Sequence, residues 1–117
     1  MLQEHIVTVT TNAEGAAEVY AGSRITGVIR AMKVAIGDSD SLPLVISGER
    51  TGVPILTETF TTDKWVYPRA PAAVVANGSA STITECEISL FRERIKVVAA
   101  SATASKTSTV TFYVDVE

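Results

Sequence analysis

The residues able to do chemistry in this 117-residue chain are few. His5 is the only histidine and Cys86 the only cysteine. A cysteine nucleophile could therefore use only His5 as its base, and the two side chains are too few for a zinc site. Glu85 and Glu87 share one face of a predicted strand, but glycosidase carboxylates normally face each other across a cleft. We therefore predict a protein that is not an enzyme and that carries no cofactor or metal.

Two further stretches resemble known sites only in part. Asp38-Ser39-Asp40 begins like a calcium loop, but Ser41-Leu42-Pro43 supplies neither the next oxygen ligands nor a distal glutamate. Asn77-Gly78-Ser79 matches the glycosylation sequon, although no secretory signal precedes it. The glycines form no phosphate-binding loop and no Gly-x-Ser-x-Gly elbow. We interpret these stretches as turns.

An aromatic stretch, Trp65 to Arg69, is the strongest candidate for an interaction site. A predicted turn precedes it and prolines follow its aromatic residues, which predicts an extended loop or an edge segment. Trp, Tyr and Arg are enriched at interface hot spots, but Trp65 could equally cap one end of the core. Arg92 and Arg94 could contact an acidic partner, although Glu93 separates them. The candidate interface residues are therefore Trp65, Tyr67, Arg69, Arg92 and Arg94.

The composition of the chain excludes several classes of partner. Ten Lys and Arg residues oppose 13 Asp and Glu residues, which gives a net charge of −3. Such a chain lacks the basic surface that nucleic acids or anionic membranes require. The first residues do not form a signal peptide, and no apolar stretch approaches the ~18 residues of a membrane helix. The length predicts a single domain over residues 1–117, with a core that needs no disulfide.

The end of the chain shows the clearest strand pattern. From Thr109 to Glu117, apolar and polar residues alternate, which is the period of a half-buried strand. The inward residues are Val110, Phe112, Val114 and Val116. The stretch from Arg94 to Ala100 offers a second apolar face through Ile95, Val97 and Ala99. We expect the two stretches to form an antiparallel hairpin in the middle of a sheet.

The rest of the chain predicts further short strands between polar turns. The segment from Arg24 to Ile36 also carries apolar residues at helical spacing, but its β-branched content and Gly27 favour a strand. There we expect Val28, Met32, Val34 and Ile36 on one face, and Ile25, Ile29, Ala31 and Ala35 on the other. Thr82 to Phe91 is a strand with Thr84, Cys86, Ile88 and Leu90 facing inward, and Arg92-Glu93 links it to the next. The remaining strands are His5–Thr10, Ala16–Tyr20, Leu42–Ser47 and Val53–Phe60.

This pattern predicts the fold class. About eight short strands at roughly ten-residue spacing indicate an all-β, antiparallel β-sandwich, of jelly-roll or immunoglobulin-like topology. Small residues fill the stretch from Ala72 to Ser81, where Asn77-Gly78 is the predicted turn. No internal repeat or second domain interrupts the series.

Several phrases in this order resemble a known class of proteins. They are Val7 to Thr11 with Glu14-Gly15, Ile46 to Leu56, Glu93 to Val98, and Thr109 to Val114. Together they are similar to small virion structural proteins from the head and tail modules of tailed bacteriophages. The stretch from Asp63 to Ser81 is not part of the resemblance.

The resemblance implies a β-sandwich that assembles on a virion and has no catalytic residues. The expected function is to bind and stabilise the particle, with capsid cement or decoration as the leading form. A head–tail connector or a tail component is the alternative. The expected partners are the major capsid protein or neck and tail subunits, together with further copies of the chain in a homo-oligomer. The protein would be made in the host cytoplasm and reside in the virion.

Two other functions stay open at this stage. A carbohydrate-binding, adhesive β-sandwich would need an aromatic platform, for which Trp65 and Tyr67 are the candidates. An enzyme with its site across a subunit interface is opposed by the shortage of His, Cys and paired acids.

Overall fold

A computed structural model describes residues 1–71 and 85–116, with the backbone alone at residues 70, 71, 85 and 86. Within these residues the protein is all-β: two antiparallel sheets pack together as a sandwich, which confirms the predicted fold class. The same residues include no helix that could cross a membrane.

The described residues form ten strands, two more than predicted, and several are very short. In chain order they are β1 (Leu2–Thr10), β2 (Ala17–Tyr20), β3 (Ile25–Ala35), β4 (Leu42–Gly48), β5 (Pro54–Phe60), β6 (Lys64–Val66), β7 (Arg69–Pro71), β8 (Glu85–Glu93), β9 (Ile95–Ala99) and β10 (Thr107–Val116). Sheet A has the order β1-β10-β3-β8-β7. β6 also pairs with β3, along residues 32–34, whereas β8 pairs along residues 25–29. Sheet B has the order β2-β9-β4-β5.

This strand order is that of a jelly roll. The chain places β1 in sheet A, β2 in sheet B, β3 in sheet A and β4 in sheet B, and its last strands return to pair between the first ones. An immunoglobulin-like sandwich would instead place its first two strands side by side in one sheet. Of the two topologies open from the sequence, the structure therefore has the jelly roll.

The last strand lies in the middle of sheet A, as predicted, but the expected C-terminal hairpin is wrong. β10 pairs with β1 on one side and β3 on the other, and Val110, Phe112 and Val114 are fully buried. β9 instead pairs with β2 and β4 in sheet B. Alternation specifies which face of a strand is buried, and it leaves the hydrogen-bonded partner undetermined. Both strands pack against one core from opposite sheets.

β3 is a strand, as favoured over a helix, but the predicted assignment of its faces is wrong. Tyr113 pairs with Ala31 and Val114 with Ile29, so Arg30 is an extra residue that forms a β-bulge. The bulge reverses the alternation, and the side chains that point into the core are therefore Ile25, Ile29, Met32, Val34 and Ile36.

A second bulge changes the end of β8. Ile88 and Leu90 are buried as predicted, but Phe91 and Arg92 together face one residue of β3, and Arg92 has a φ of 49°. The extra residue turns Glu93 into the interior, where it belongs to β8. The prediction that Arg92-Glu93 merely links two strands is wrong. The predicted positions of Thr84, of the Cys86 side chain and of the stretch 72–81 lie outside the described residues.

The other strands confirm their predictions, with ends shifted by up to three residues. The polar segment after β1 is a turn in which Asn12 Oδ1 accepts hydrogen bonds from the N–H groups of Glu14 and Ala16, each 2.9 Å long. Gly15 has a φ of 74°, which only glycine adopts without strain. Large apolar side chains from both sheets, including Phe60, Leu42, Leu44, Ile29 and Phe112, fill the space between the sheets.

Candidate functional site

An exposed aromatic cluster lies on the outer face of sheet A. Trp65 is 49% exposed on β6, and its ring stacks on Tyr113 of β10 with the centroids 5.5 Å apart and the planes inclined by 26°. Lys33 Nζ lies 5.7 Å from the centroid of the Trp65 ring. We call these three residues the Trp65 patch. Trp65 therefore does not cap the core, because it points away from it.

Strand pairing explains how the patch forms. Ile6, Thr111, Lys33 and Trp65 are successive partners across β1, β10, β3 and β6, and they make one row on the outer face. Tyr113 lies in the neighbouring row, so it meets Trp65 diagonally. Ile6 extends the row to the edge of the sheet and is 60% exposed. The patch therefore stands on paired strands rather than on a loop.

A charged network borders the patch on the same face. The Arg30 guanidinium, presented by the β3 bulge, binds Asp115 Oδ2 at 2.9 Å and Glu87 Oε1 at 2.5 Å. These bonds raise the pKa of Arg30 above its usual value, Asp115 contributing most. The guanidinium in turn is the main cause that lowers the pKa of Asp115.

Two other predicted interface residues lie close to β6 in the chain. Tyr67 follows the end of β6 and is 61% exposed. Arg69 lies on β7, opposite Glu87 of β8, and its Nη1 donates to the carbonyl of Pro68 at 2.7 Å. Both side chains are accessible, but among the described residues neither hydrogen-bonds to Trp65 nor stacks on its ring.

Arg92 and Arg94 lie far from the Trp65 patch. Trp65 pairs with Lys33, whereas the β8–β9 corner pairs with Ile25 at the other end of β3, about 26 Å away. Arg94 packs its guanidinium 4.5 Å from the centroid of the Tyr20 ring and makes an ion pair with Glu49 that lacks good hydrogen-bond geometry. The five predicted interface residues therefore do not form one surface.

A buried carboxylate fixes this corner. Glu93 is 1% exposed and accepts a hydrogen bond from the Thr51 N–H (3.1 Å). The Thr51 hydroxyl lies 2.9 Å from both carboxylate oxygens, and the Phe91 N–H donates to Oε2 at 3.4 Å. A Cβ at Gly48 would lie 2.1 Å from Glu93 Oε1, so the carboxylate occupies the space that this glycine leaves. Through Thr51, Glu93 therefore connects the end of β8 to the β4–β5 turn, and we assign it a structural role.

The other chemistry-bearing residues lie apart from one another. His5 Nε2 contacts Gln3 Oε1 at 3.2 Å, and Glu87 is paired with Arg30. The side chains of Glu85 and Cys86 are outside the described residues. Across residues 1–71 and 85–116, three or more His, Cys, Asp or Glu side chains nowhere gather as metal ligands would.

Sequence reasoning did not identify Tyr113, Lys33 or Ile6 as parts of a surface. The alternation in β10 does place Tyr113 outward, which is a usable signal: a tyrosine stands on an otherwise threonine-rich solvent face. Its meeting with Trp65 depends on the register between β10, β3 and β6, and periodicity contains no information on that register.

Comparisons with known proteins give no match, whether to a family model, to a curated protein or to a solved structure.

Proposed function

We propose that this protein is a non-enzymatic assembly protein that binds another protein through the outer face of sheet A. Following the sequence resemblance, the assembly we propose is a tailed-phage virion, with capsid cement as the leading role and a neck or tail position as the alternative. The observation that carries the proposal is the Trp65 patch: a half-exposed tryptophan, stacked on Tyr113 and held by strands.

The dimensions of the face suit a macromolecular partner. Four strands of nine to eleven residues, about 4.8 Å apart and about 30 Å long, present roughly 600 Å². A standard protein interface buries about 800 Å² on each partner. Trp65 lies toward one side of this area, on β6, and the Arg30 network crosses its central strands β10, β3 and β8. Exposed aromatic and arginine side chains of this kind are enriched at interface hot spots. A jelly roll alone does not select the partner, since capsid proteins and lectins both use it.

The test compares two variants that remove similarly exposed apolar side chains from opposite sheets. Trp65→Ala removes the centre of the patch, and Val45→Ala removes a residue that is 50% exposed on β4 of sheet B. Each protein is sedimented with capsid shells, and separately with tails, of the tailed phage proposed to carry it. We expect Trp65→Ala to lose at least about tenfold in affinity, as for a hot spot of more than 1.4 kcal/mol. Equal binding by both variants would refute the proposed face.

The Trp65 patch also favours a second function, a carbohydrate-binding module. Sugar rings stack on exposed aromatic faces. The predicted platform was Trp65 with Tyr67, whereas in the structure the ring of Trp65 stacks on Tyr113. Trp65 is the only tryptophan, so its fluorescence reports on this site alone. A shift of the emission on adding one member of an oligosaccharide panel supports the module. An unchanged spectrum across the panel excludes it and leaves the protein partner.

A further inference from the structure

The free edge of β1 differs from the other edges of the two sheets. In the described part of the chain, β6 and β7 have three residues each and β2 has four, while β5 begins at Pro54 and is bulged. Short strands, prolines and bulges protect sheet edges from pairing with other chains. β1 has none of them: its nine residues contain no proline, and its register with β10 continues without a shift.

The main-chain groups of β1 divide between its two sides. The Thr11 N–H donates to the Lys106 carbonyl at 3.0 Å, and the Val116 N–H donates to the Met1 carbonyl at 2.8 Å. Because hydrogen-bonded pairs alternate along an antiparallel ladder, the odd-numbered residues of β1 bond to β10. The N–H and C=O groups of the even-numbered residues therefore point to the free edge. These edge-facing groups belong to Leu2, Glu4, Ile6, Thr8 and Thr10. Within the described residues, no other group forms a hydrogen bond to them on that side.

We propose that this free edge binds the same edge of a second copy of the chain, in antiparallel pairing about a two-fold axis at Ile6. Ile6 is the middle residue of β1, so this register pairs all five outward-facing positions with one another. Each such pair exchanges two main-chain hydrogen bonds, about ten in all. The two A sheets then become one continuous sheet, and an isologous contact of this kind closes without leading to a filament.

The side chains match this register. Ile6 meets Ile6 of the second copy on the outer face, which covers two residues that are each 60% exposed in the monomer. Glu4, the one acidic residue of β1, faces Thr8 of the second copy, and Leu2 faces Thr10. A register centred on Glu4 would oppose two carboxylates, which is unfavourable, and would use fewer pairs. The charge pattern of the strand therefore selects the Ile6 axis.

The contact is small, and this sets the expected affinity. An edge about 30 Å long buries less than the ~800 Å² per partner of a stable interface. We therefore expect a dimer dissociation constant in the micromolar to millimolar range. The equilibrium should shift toward the dimer wherever copies are held close together.

The first test measures mass against concentration by sedimentation equilibrium on the full chain. The wild-type protein should show a monomer–dimer equilibrium. Ile6→Lys places two ammonium groups at the axis and should raise the dimer dissociation constant at least about tenfold. Thr57→Lys adds the same charge to an exposed position on the edge strand β5 and should leave the constant unchanged.

The second test determines the register by cross-linking in a Cys86→Ser background. In the proposed dimer the two Ile6 Cα atoms are about 5.5 Å apart, within the range of a disulfide. Ile6→Cys should therefore form a covalent dimer on mild oxidation. Thr10→Cys should stay monomeric, because two Thr10 residues lie eight positions apart along the paired strands, about 27 Å.

Three outcomes overturn the proposal. A mass that stays monomeric at millimolar concentration leaves the edge to a strand from another protein. A dimer that Ile6→Lys does not weaken uses a different surface, and cross-linking at Thr10 rather than Ile6 refutes the register. Trp65→Ala should keep the dimer intact, so a failure of the proposed interaction face and a failure of the β1 contact are distinguishable.

Discussion

Replacing Glu93 with glutamine tests whether a buried carboxylate holds the β4–β5 turn against the β8–β9 corner. The substitution keeps the size of the side chain, which matters because Glu93 Oε1 occupies the space beside Gly48. It also keeps one oxygen to accept from the Thr51 N–H, now 3.1 Å away. It removes the charge and replaces the second oxygen with an amide that donates.

The expected cost follows from the lost acceptor. The Phe91 N–H donates to Oε2 of Glu93, and a glutamine amide in that place has no lone pair to receive it. Hydrogen bonds to a charged group contribute about 1.5–3 kcal/mol, more than neutral ones. Removing a buried charge offsets part of this loss. We therefore expect Glu93→Gln to lower the free energy of unfolding by about 2 kcal/mol at pH 7.

Acid should reduce this difference. Burial acts to raise the pKa of Glu93, but hydrogen bonds from Thr51, Phe91 and Arg50 outweigh it, so the pKa lies below the usual value. A carboxyl with a lowered folded pKa stabilises the fold above its unfolded pKa, about 4.3 for glutamate. That contribution is lost as the pH falls through the folded pKa. The gap between wild type and Glu93→Gln should thus be full at pH 7 and shrink below about pH 4.

Urea unfolding followed by circular dichroism at pH 7, 5, 4 and 3 measures the effect. With a slope of about 2 kcal/mol/M, the predicted loss moves the pH 7 midpoint by about 1 M. Glu58→Gln is the control, because Glu58 makes only a surface ion pair with Lys64 at 3.1 Å and should change stability by less than about 1 kcal/mol. Two results refute the reasoning: a Glu93→Gln midpoint equal to that of wild type at pH 7, or a gap that is undiminished at pH 3.

Two further predictions concern the packing and the charges of sheet A. Gly27→Ala should destabilise the fold by about 3 kcal/mol in urea unfolding, because its Cβ would lie 2.3 Å from the main-chain oxygen of Asp115. Gly22→Ala, with no atom within 4 Å of the new Cβ, should be nearly neutral, and equal losses in the two variants would contradict the packing argument. Arg30→Met should raise the pKa of Asp115 in an NMR titration, since the guanidinium is the main cause of its lowering. An unchanged Asp115 titration would show that the ion pair does not persist in solution.

Sequence periodicity was enough to predict the sandwich and most of its strands. Inward alternation identified Val110, Phe112 and Val114 as core residues because burial on one face imposes a period of two wherever a strand is regular. It failed at Arg30, where a bulge reverses the alternation, and the failure is informative. The extra residue is the arginine that joins Glu87 and Asp115 across the sheet.

The main feature that the sequence did not specify was which strands pair with each other through hydrogen bonds. β9 and β10 have similar alternating patterns, and both a hairpin and a crossing between sheets bury their apolar faces. For the same reason Trp65 was predicted only as a candidate interface residue, with a cap on the core as the alternative, and its neighbours were not identified. Tyr113 lies 48 positions further along the chain, and only the register through Lys33 brings the two rings together.

The β1 edge and the Trp65 patch are joined by one row of residues, which connects the two proposals. The row runs from Ile6 through Thr111 and Lys33 to Trp65, so pairing at Ile6 extends it across the two-fold axis into the second copy. Seven strand spacings then separate the two Trp65 residues, about 34 Å, on one face of a continuous sheet. Such a dimer is bivalent, and a repetitive surface with a matching spacing would bind it more tightly than either copy alone. Ile6→Lys should therefore weaken binding to an assembled shell more than binding to an isolated subunit, because the first depends on two linked contacts and the second on one.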